Sequence, residues 1–111
     1  MPSLKLDAKQ VVQNMAKFEN KEPSLAMYEA ILQLNDLDEC RKFFEDVCTV
    51  AEMRSMEQRY DVAVLLSQGK IYNDILNQTG ASSATISRVS RMLSSGTGVL
   101  KSYAEKQKPK E

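Results

Sequence analysis

Apolar residues recur at helical spacing along most of the chain, and no segment alternates apolar and polar residues as a half-buried strand does. This pattern predicts an all-α fold of about six helices. The first four fall at about residues 7–18, 24–32, 36–47 and 49–68. Their apolar stripes are, in order, Val11, Val12, Met15 and Phe18; Leu25, Tyr28, Ile31 and Leu32; Leu37, Cys40, Phe43, Phe44 and Val47; and Met53, Met56, Tyr60, Ala63 and Val64.

Local signals place the helix ends. Ser24 suits an N-cap, and Thr49 followed by Glu52 has the spacing of a capping box. Gly69 suits the residue just past a helix, where a left-handed backbone is common. Two short helices are predicted after it, at 72–79 and 82–93, and residues 99–106 are a candidate for one more.

The length of 111 residues predicts one helical domain, over residues 1–105, followed by a charged tail at 106–111 that we expect to be disordered. Cys40 and Cys48 are expected to be buried, reduced thiols, and without histidine they make no plausible zinc site. The N-terminus does not resemble a signal peptide, and the longest apolar run, 62–66, is far too short to cross a bilayer. The expected location is the cytoplasm.

Charge is unevenly distributed although the formal net charge is zero. Residues 1–69 hold 8 Lys/Arg and 12 Asp/Glu, whereas residues 70–111 hold 7 Lys/Arg and 3 Asp/Glu. No acidic residue occurs from 81 to 103. A neutral chain with one basic portion can present a basic face to phosphates, although a chance imbalance with a lysine-rich tail is the alternative.

The segment at 71–93, IYNDILNQTGASSATISRVSRML, has the layout of a helix-turn-helix. Ile75 and Leu76 are predicted to form the apolar face of its first helix, and Gly80 its tight turn. The apolar residues that lock the second helix are predicted to be Ala81, Ile86 and Val89. Seven residues remain for the other faces of that helix: Ser83, Ala84, Thr85, Ser87, Arg88, Ser90 and Arg91.

Small, hydroxylated and basic side chains of this kind suit the major groove of double-stranded DNA. The segment from Ser82 to Arg91 is expected to enter the groove. Hydroxyl groups bond to phosphates or bases, alanine contacts a thymine methyl group, and arginine pairs with guanine or phosphate. We therefore predict base-edge contacts from Ser83, Ala84 and Ser87, phosphate contacts from Thr85 and Arg91, and a DNA or ligand contact from Arg88. A helical hairpin within a core, or a protein-docking module, would also fit the pattern.

Three segments, LDECRKFFEDVCT, QRYDVAVLL and TGASSATISRV, occur here in an order and spacing that resemble the Trp repressor superfamily, in particular its YerC/YecD branch. The resemblance covers roughly residues 25–95. It implies an intertwined, all-helical homodimer that binds a palindromic operator. The implied function is regulation of transcription, with repression as the expected effect. The remaining functional alternative is a protein-interaction adaptor that uses the same fold without reading DNA.

The resemblance also implies a ligand site. Arg59 and Arg88 match the two arginines that sandwich the indole in the Trp repressor, and Thr49 matches a threonine at the rim of that pocket. Two positions depart from the repressor: Val89 replaces a glycine and should crowd a flat ring, and Met92 replaces a serine that helps to hold the ligand. A small-molecule corepressor is one alternative, but we do not expect it to be free tryptophan. No cofactor is assigned. The absence of histidine, of an activated cysteine and of a glycine-rich phosphate loop argues against an enzyme.

Overall fold

The computed structural model describes residues 7–19 and 22–107. These residues form seven helices and no strand, which confirms the all-α prediction; the candidate segment near the C-terminus is the seventh helix. The helices are α1 (Ala8–Glu19), α2 (Leu25–Leu32), α3 (Leu37–Val47), α4 (Val50–Ser67), α5 (Tyr72–Thr79), α6 (Ser83–Ser95) and α7 (Val99–Lys106). None of these helices is both long and apolar enough to cross a membrane.

Both ends of α4 are closed by the predicted caps. The backbone N–H of Glu52 donates to Thr49 Oγ1 at 3.1 Å, and the N–H of Thr49 donates to Glu52 Oε1 at 2.8 Å. The bond from the Thr49 N–H foremost, and then the Thr49 hydroxyl, stabilise the carboxylate and hold the pKa of Glu52 below its ordinary value. At the other end Gly69 has a φ of 75°, and the N–H of Lys70 donates to the carbonyl of Leu65 at 3.1 Å. That pair of features is a Schellman motif, which satisfies carbonyls that the helix leaves without a partner.

The chain divides into two compact units, residues 1–40 and residues 41–111. The first unit contains α1, α2 and the beginning of α3, and none of its residues whose burial is described is buried. Its apolar side chains are largely exposed, Leu32 to 85%. The single domain expected over residues 1–105 stays a prediction. Of the predicted tail, residues 108–111 lie outside the described residues.

The second unit contains a core built around α4, which packs against α5, α6 and α7. The hydroxyl of Tyr60, on α4, donates to Gln107 Oε1 at 3.1 Å and ties the end of α7 to the central helix. Because α4 contacts all three later helices, it is the support on which the helix-turn-helix segment rests. The buried core residues are Val62, Ala63, Val64, Ile75, Ala81, Ile86, Val89 and Ala104.

Candidate DNA-binding interface

The segment predicted to be a helix-turn-helix forms two helices joined by a short turn. The first helix, α5, covers the predicted residues 72–79, and α6 begins after Ser82. Gly80 takes the left-handed conformation, with a φ of 69°, and its N–H donates to the carbonyl of Leu76 at 2.9 Å. Nothing lies near the position that a Cβ would occupy there, so glycine is required by the backbone conformation and not by crowding.

The apolar lock between the two helices is formed largely as predicted. Ile75, Ala81, Ile86 and Val89 are all buried, with at most 3% of their surface exposed. The prediction for Leu76 was wrong, because this residue is 39% exposed. Consecutive helical residues are separated by about 100° around the axis. The helix therefore turns Leu76 away from the face on which Ile75 is buried.

Polar groups complete the turn, and the sequence analysis did not predict them. Thr79 Oγ1 donates to the carbonyl of Ile75 at 2.7 Å and accepts from the N–H of Ala81 at 3.1 Å. The side-chain amide of Gln58, on α4, donates to the carbonyl of Thr79 at 3.1 Å. The role of Thr79 could have been suspected from its place before a turn glycine. Nothing in the local sequence marks Gln58.

The outer face of α6 lies opposite its buried residues Ile86 and Val89. Four residues fall there by helical geometry and are exposed: Ala84, Ser87, Arg88 and Arg91. Ser83 and Ser90 are exposed at one flank, and Thr85 is half-buried at the other. The structure thus places most of the predicted DNA-contacting residues on the exposed side of one helix, with Thr85 half-buried at its edge and Ser82 at its N-cap.

Ser82 and Thr85 have a structural task at the start of α6. The N–H of Thr85 donates to Ser82 Oγ at 3.1 Å, and Ser82 Oγ in turn donates to Thr85 Oγ1 at 3.1 Å. Ser82 is therefore occupied as the N-cap. The Thr85 hydroxyl accepts in this pair, which leaves its own proton able to donate to another acceptor.

The electrostatic character of this face is mildly basic. Residues 75–104 contain no acidic residue, and they include Arg88, Arg91 and Lys101. The first turn of α6 also holds no acidic side chain, so the partial positive charge of the helix N-terminus is not offset there. Both features favour the approach of a polyanion.

The three residues suggested for a ligand lie on two helices, with Thr49 and Arg59 at separate levels of α4. Arg59 lies half-buried on α4, and Arg88 lies exposed on α6, which packs against α4. Thr49 is the N-cap of α4, ten residues before Arg59, which corresponds to about 15 Å along the helix axis. Val89 is completely buried, so its side chain fills core space that a glycine would leave empty, while Met92 is partly exposed.

The sequence pattern that defines the Trp repressor protein family matches residues 22–108. This chain belongs to the Trp repressor family. It is 44% identical over 85 residues to the uncharacterized protein YerC of Bacillus subtilis (strain 168), a match that covers 77% of this chain and 82% of that protein. The resemblance inferred from the sequence is therefore confirmed.

Two solved structures share the fold. One is a TrpR-like protein from Eubacterium eligens ATCC 27750, with a TM-score of 0.69 and 49% identity, covering 72% of this chain and 82% of that one. The other is a candidate Trp repressor from Staphylococcus aureus, with a TM-score of 0.69 and 36% identity, covering 91% of this chain and 94% of that one. The Trp-repressor-like fold is thus shared with chains of clearly related sequence.

Proposed function

We propose that this member of the Trp repressor family is a sequence-specific, DNA-binding transcriptional regulator that acts in the cytoplasm. Repression is the proposed effect on transcription. The observation that carries the proposal is the division of α6 into two faces. Ile86 and Val89 hold the helix in the core, while the opposite face exposes Ala84, Ser87, Arg88 and Arg91 and no acidic group. Such a face can approach both base edges and phosphates. No catalytic role is proposed.

The contacts divide by chemistry. Ser83, Ala84 and Ser87 are assigned to base edges, because short side chains allow the helix to lie deep in the groove. Thr85 and Arg91 are assigned to phosphates, which fix register and orientation. Arg88 is long enough and central enough to serve either DNA or a ligand. Ser82 contributes by capping the helix that carries the others.

The proposal includes a homodimer that binds a palindromic operator. Support comes from the first unit, where α2 carries large apolar side chains and none of them is buried. A second copy would cover that surface and would relate two α6 helices by a two-fold axis. Dimeric helix-turn-helix proteins, the Trp repressor itself among them, place these helices about 34–36 Å apart, one turn of DNA.

Free tryptophan is not proposed as the ligand. The support is the complete burial of Val89 at the position where a glycine would leave room beside Arg88. A smaller carboxylate that pairs with Arg59 or Arg88 would be compatible with the charges present. DNA binding is therefore expected in the absence of tryptophan.

The experiment that tests the proposal is selection from a random duplex library at about 0.1 M salt, where surface charges more than about 10 Å apart are largely screened. The purified protein is used first without ligand and then with pools of amino acids. Recovery of a palindromic motif supports a DNA-reading dimer. Failure to enrich any motif, with or without the pools, would contradict DNA reading.

A second candidate function is a protein-interaction adaptor. It is favoured by exposed apolar residues at the outer side of the helix-turn-helix, namely Ile71, Tyr72 and Leu76. The exposed face of α6 itself is polar and basic, however, which favours DNA. A duplex selection that fails while Tyr72→Ser abolishes capture of one defined protein would favour the adaptor.

A further inference from the structure

A side-chain hydrogen bond connects the turn of the helix-turn-helix to the central helix. The amide of Gln58, half-buried on α4, reaches the carbonyl of Thr79, the last residue of α5 and 21 positions later in the chain. That carbonyl is among the last four of α5, which have no partner within the helix. Gln58 therefore satisfies a backbone acceptor that belongs to the DNA-binding segment.

The other polar contacts of the turn are local. Those of Thr79 and Gly80 reach only Ile75, Leu76 and Ala81, so they shape the turn without attaching it to α4. Within the described residues, the Gln58 bond is the one side-chain hydrogen bond that joins α4 to α5 or α6. Apolar packing is non-directional, whereas a hydrogen bond constrains both distance and angle.

We propose that Gln58 is a positioning residue for DNA binding. Its amide sets the orientation of the turn on α4, and thereby presents the outer face of α6 to the groove without a bound ligand. The arrangement holds the recognition helix in place before DNA arrives, which reduces the ordering that binding would otherwise require. The DNA part of this inference rests on the proposed function; the orienting part does not.

The first test compares Gln58→Met with Gln68→Met. Methionine keeps the length of the side chain but cannot donate the bond. Gln68 is a half-buried glutamine at the C-cap of the same helix, and no hydrogen bond of its side chain is described. Backbone amide exchange is measured at Gly80 and Ala81, in the turn, and at Val62, in the core. DNA affinity is measured on the selected duplex at several salt concentrations.

We expect Gln58→Met to speed exchange at Gly80 and Ala81 about fivefold relative to Val62, and to lower DNA affinity about fivefold, as is typical for loss of one neutral hydrogen bond. The salt dependence of binding should not change, because the same phosphates are contacted. Gln68→Met should change neither quantity. Equal acceleration at the turn and at Val62 would show a general loss of stability and would overturn the proposal, as would no change at the turn.

A second variant adds a measurement, the pH dependence of amide exchange in the turn, that a purely structural role of Gln58 would not change. Gln58→Glu places a carboxylate against the Thr79 carbonyl, so turn exchange should rise further at neutral pH. As the pH falls below the ordinary glutamate pKa of about 4.3, the introduced carboxyl gains a proton that it can donate, and protection should return relative to the wild type at the same pH. Absence of this recovery would count against the bond. If the wild type selects no DNA, the proposed function fails while the exchange measurements still decide the role of Gln58.

Discussion

The two units of this chain contrast in what covers their apolar residues. In the second unit, α4 to α7 bury a continuous cluster that includes Val62, Ile75 and Val89. In the first unit, α2 is strongly apolar, yet none of its residues is buried. Helical periodicity specifies which face of a helix is apolar but not what covers it. The second unit thus contains its own buried core, whereas the described residues of the first unit leave their apolar side chains exposed.

The largest expected effect comes from placing a charge on the first unit. Leu32→Lys should cost the isolated chain little, because Leu32 is 85% exposed there. If a second copy covers this residue, the substitution buries an unpaired charge and should weaken the dimer by at least about 3 kcal/mol, or more than a hundredfold in Kd. Sedimentation equilibrium across a concentration series measures the change.

Glu29→Lys is the matched control, since it places the same lysine on an exposed position of α2. It should leave the dimer essentially intact. A wild type that remains monomeric at high concentration, or an equal effect of both lysines, would contradict the proposed use of this face.

The second prediction concerns the core of the second unit. Val89→Gly removes a completely buried side chain and places glycine inside α6, so it should lower the free energy of unfolding by about 3 kcal/mol. Ala84→Gly, on the exposed face of α6, should cost at most about 1 kcal/mol, the helix-propensity part alone. Urea denaturation followed by circular dichroism gives both values.

The wild type and the Ala84→Gly variant also test the role assigned to Val89 toward tryptophan. Millimolar tryptophan should not raise the Tm of the wild type or of Ala84→Gly. A clear rise in the wild type would show that Val89 does not exclude the ring and would restore tryptophan as a ligand.

Much of the second unit was predictable because its signals are local. The capping box at Thr49, the left-handed Gly80 and the lock of Ala81, Ile86 and Val89 each depend on spacing within one or two turns. The exposure of Leu76 depends on how α5 is rotated against its neighbours. The bond from Gln58 to Thr79 depends on contact between distant segments. Neither feature can be predicted from the spacing of residues within one or two helical turns.

A third prediction separates phosphate contacts from base contacts. Arg91→Ala removes an exposed cation from α6. If Arg91 pairs with a phosphate, affinity should fall on specific and random duplexes alike, and the slope of log affinity against log salt should become shallower by about 1. An unchanged slope in a salt titration would remove Arg91 from the DNA contacts.

Ser87→Ala is expected to have a different effect from Arg91→Ala. Loss of one base-edge hydrogen bond should reduce affinity for the selected duplex by about fivefold and leave random duplexes nearly unaffected. The salt slope should not change. Equal losses on both kinds of duplex would indicate that Ser87 does not read a base.

The last prediction concerns the start of α4. Thr49→Ala removes the hydroxyl that caps the helix and should cost about 1 kcal/mol at neutral pH. The backbone N–H at this position is retained, and its bond to Glu52 is the larger cause of the lowered pKa. The pKa of Glu52 should therefore rise only partway toward its ordinary value of 4.5 in this variant. An NMR titration of the Glu52 carboxyl measures it.

The lowered pKa also fixes the direction of the pH dependence. Because the folded-state pKa of Glu52 lies below the unfolded value of 4.5, its contribution is complete above that value and is lost as the pH falls through the folded-state pKa. Glu52→Gln should remove this part of the acid destabilisation, whereas Thr49→Ala should retain most of it. If both variants flattened the acid limb equally in urea denaturation between about pH 3 and pH 5, the threonine hydroxyl, not the backbone N–H, would be the main stabiliser of the carboxylate. The lowered pKa of Glu52 would then depend on the Thr49 side chain, which can be recognised in the sequence. It would not depend on the position of the Thr49 backbone N–H, which only the structure shows.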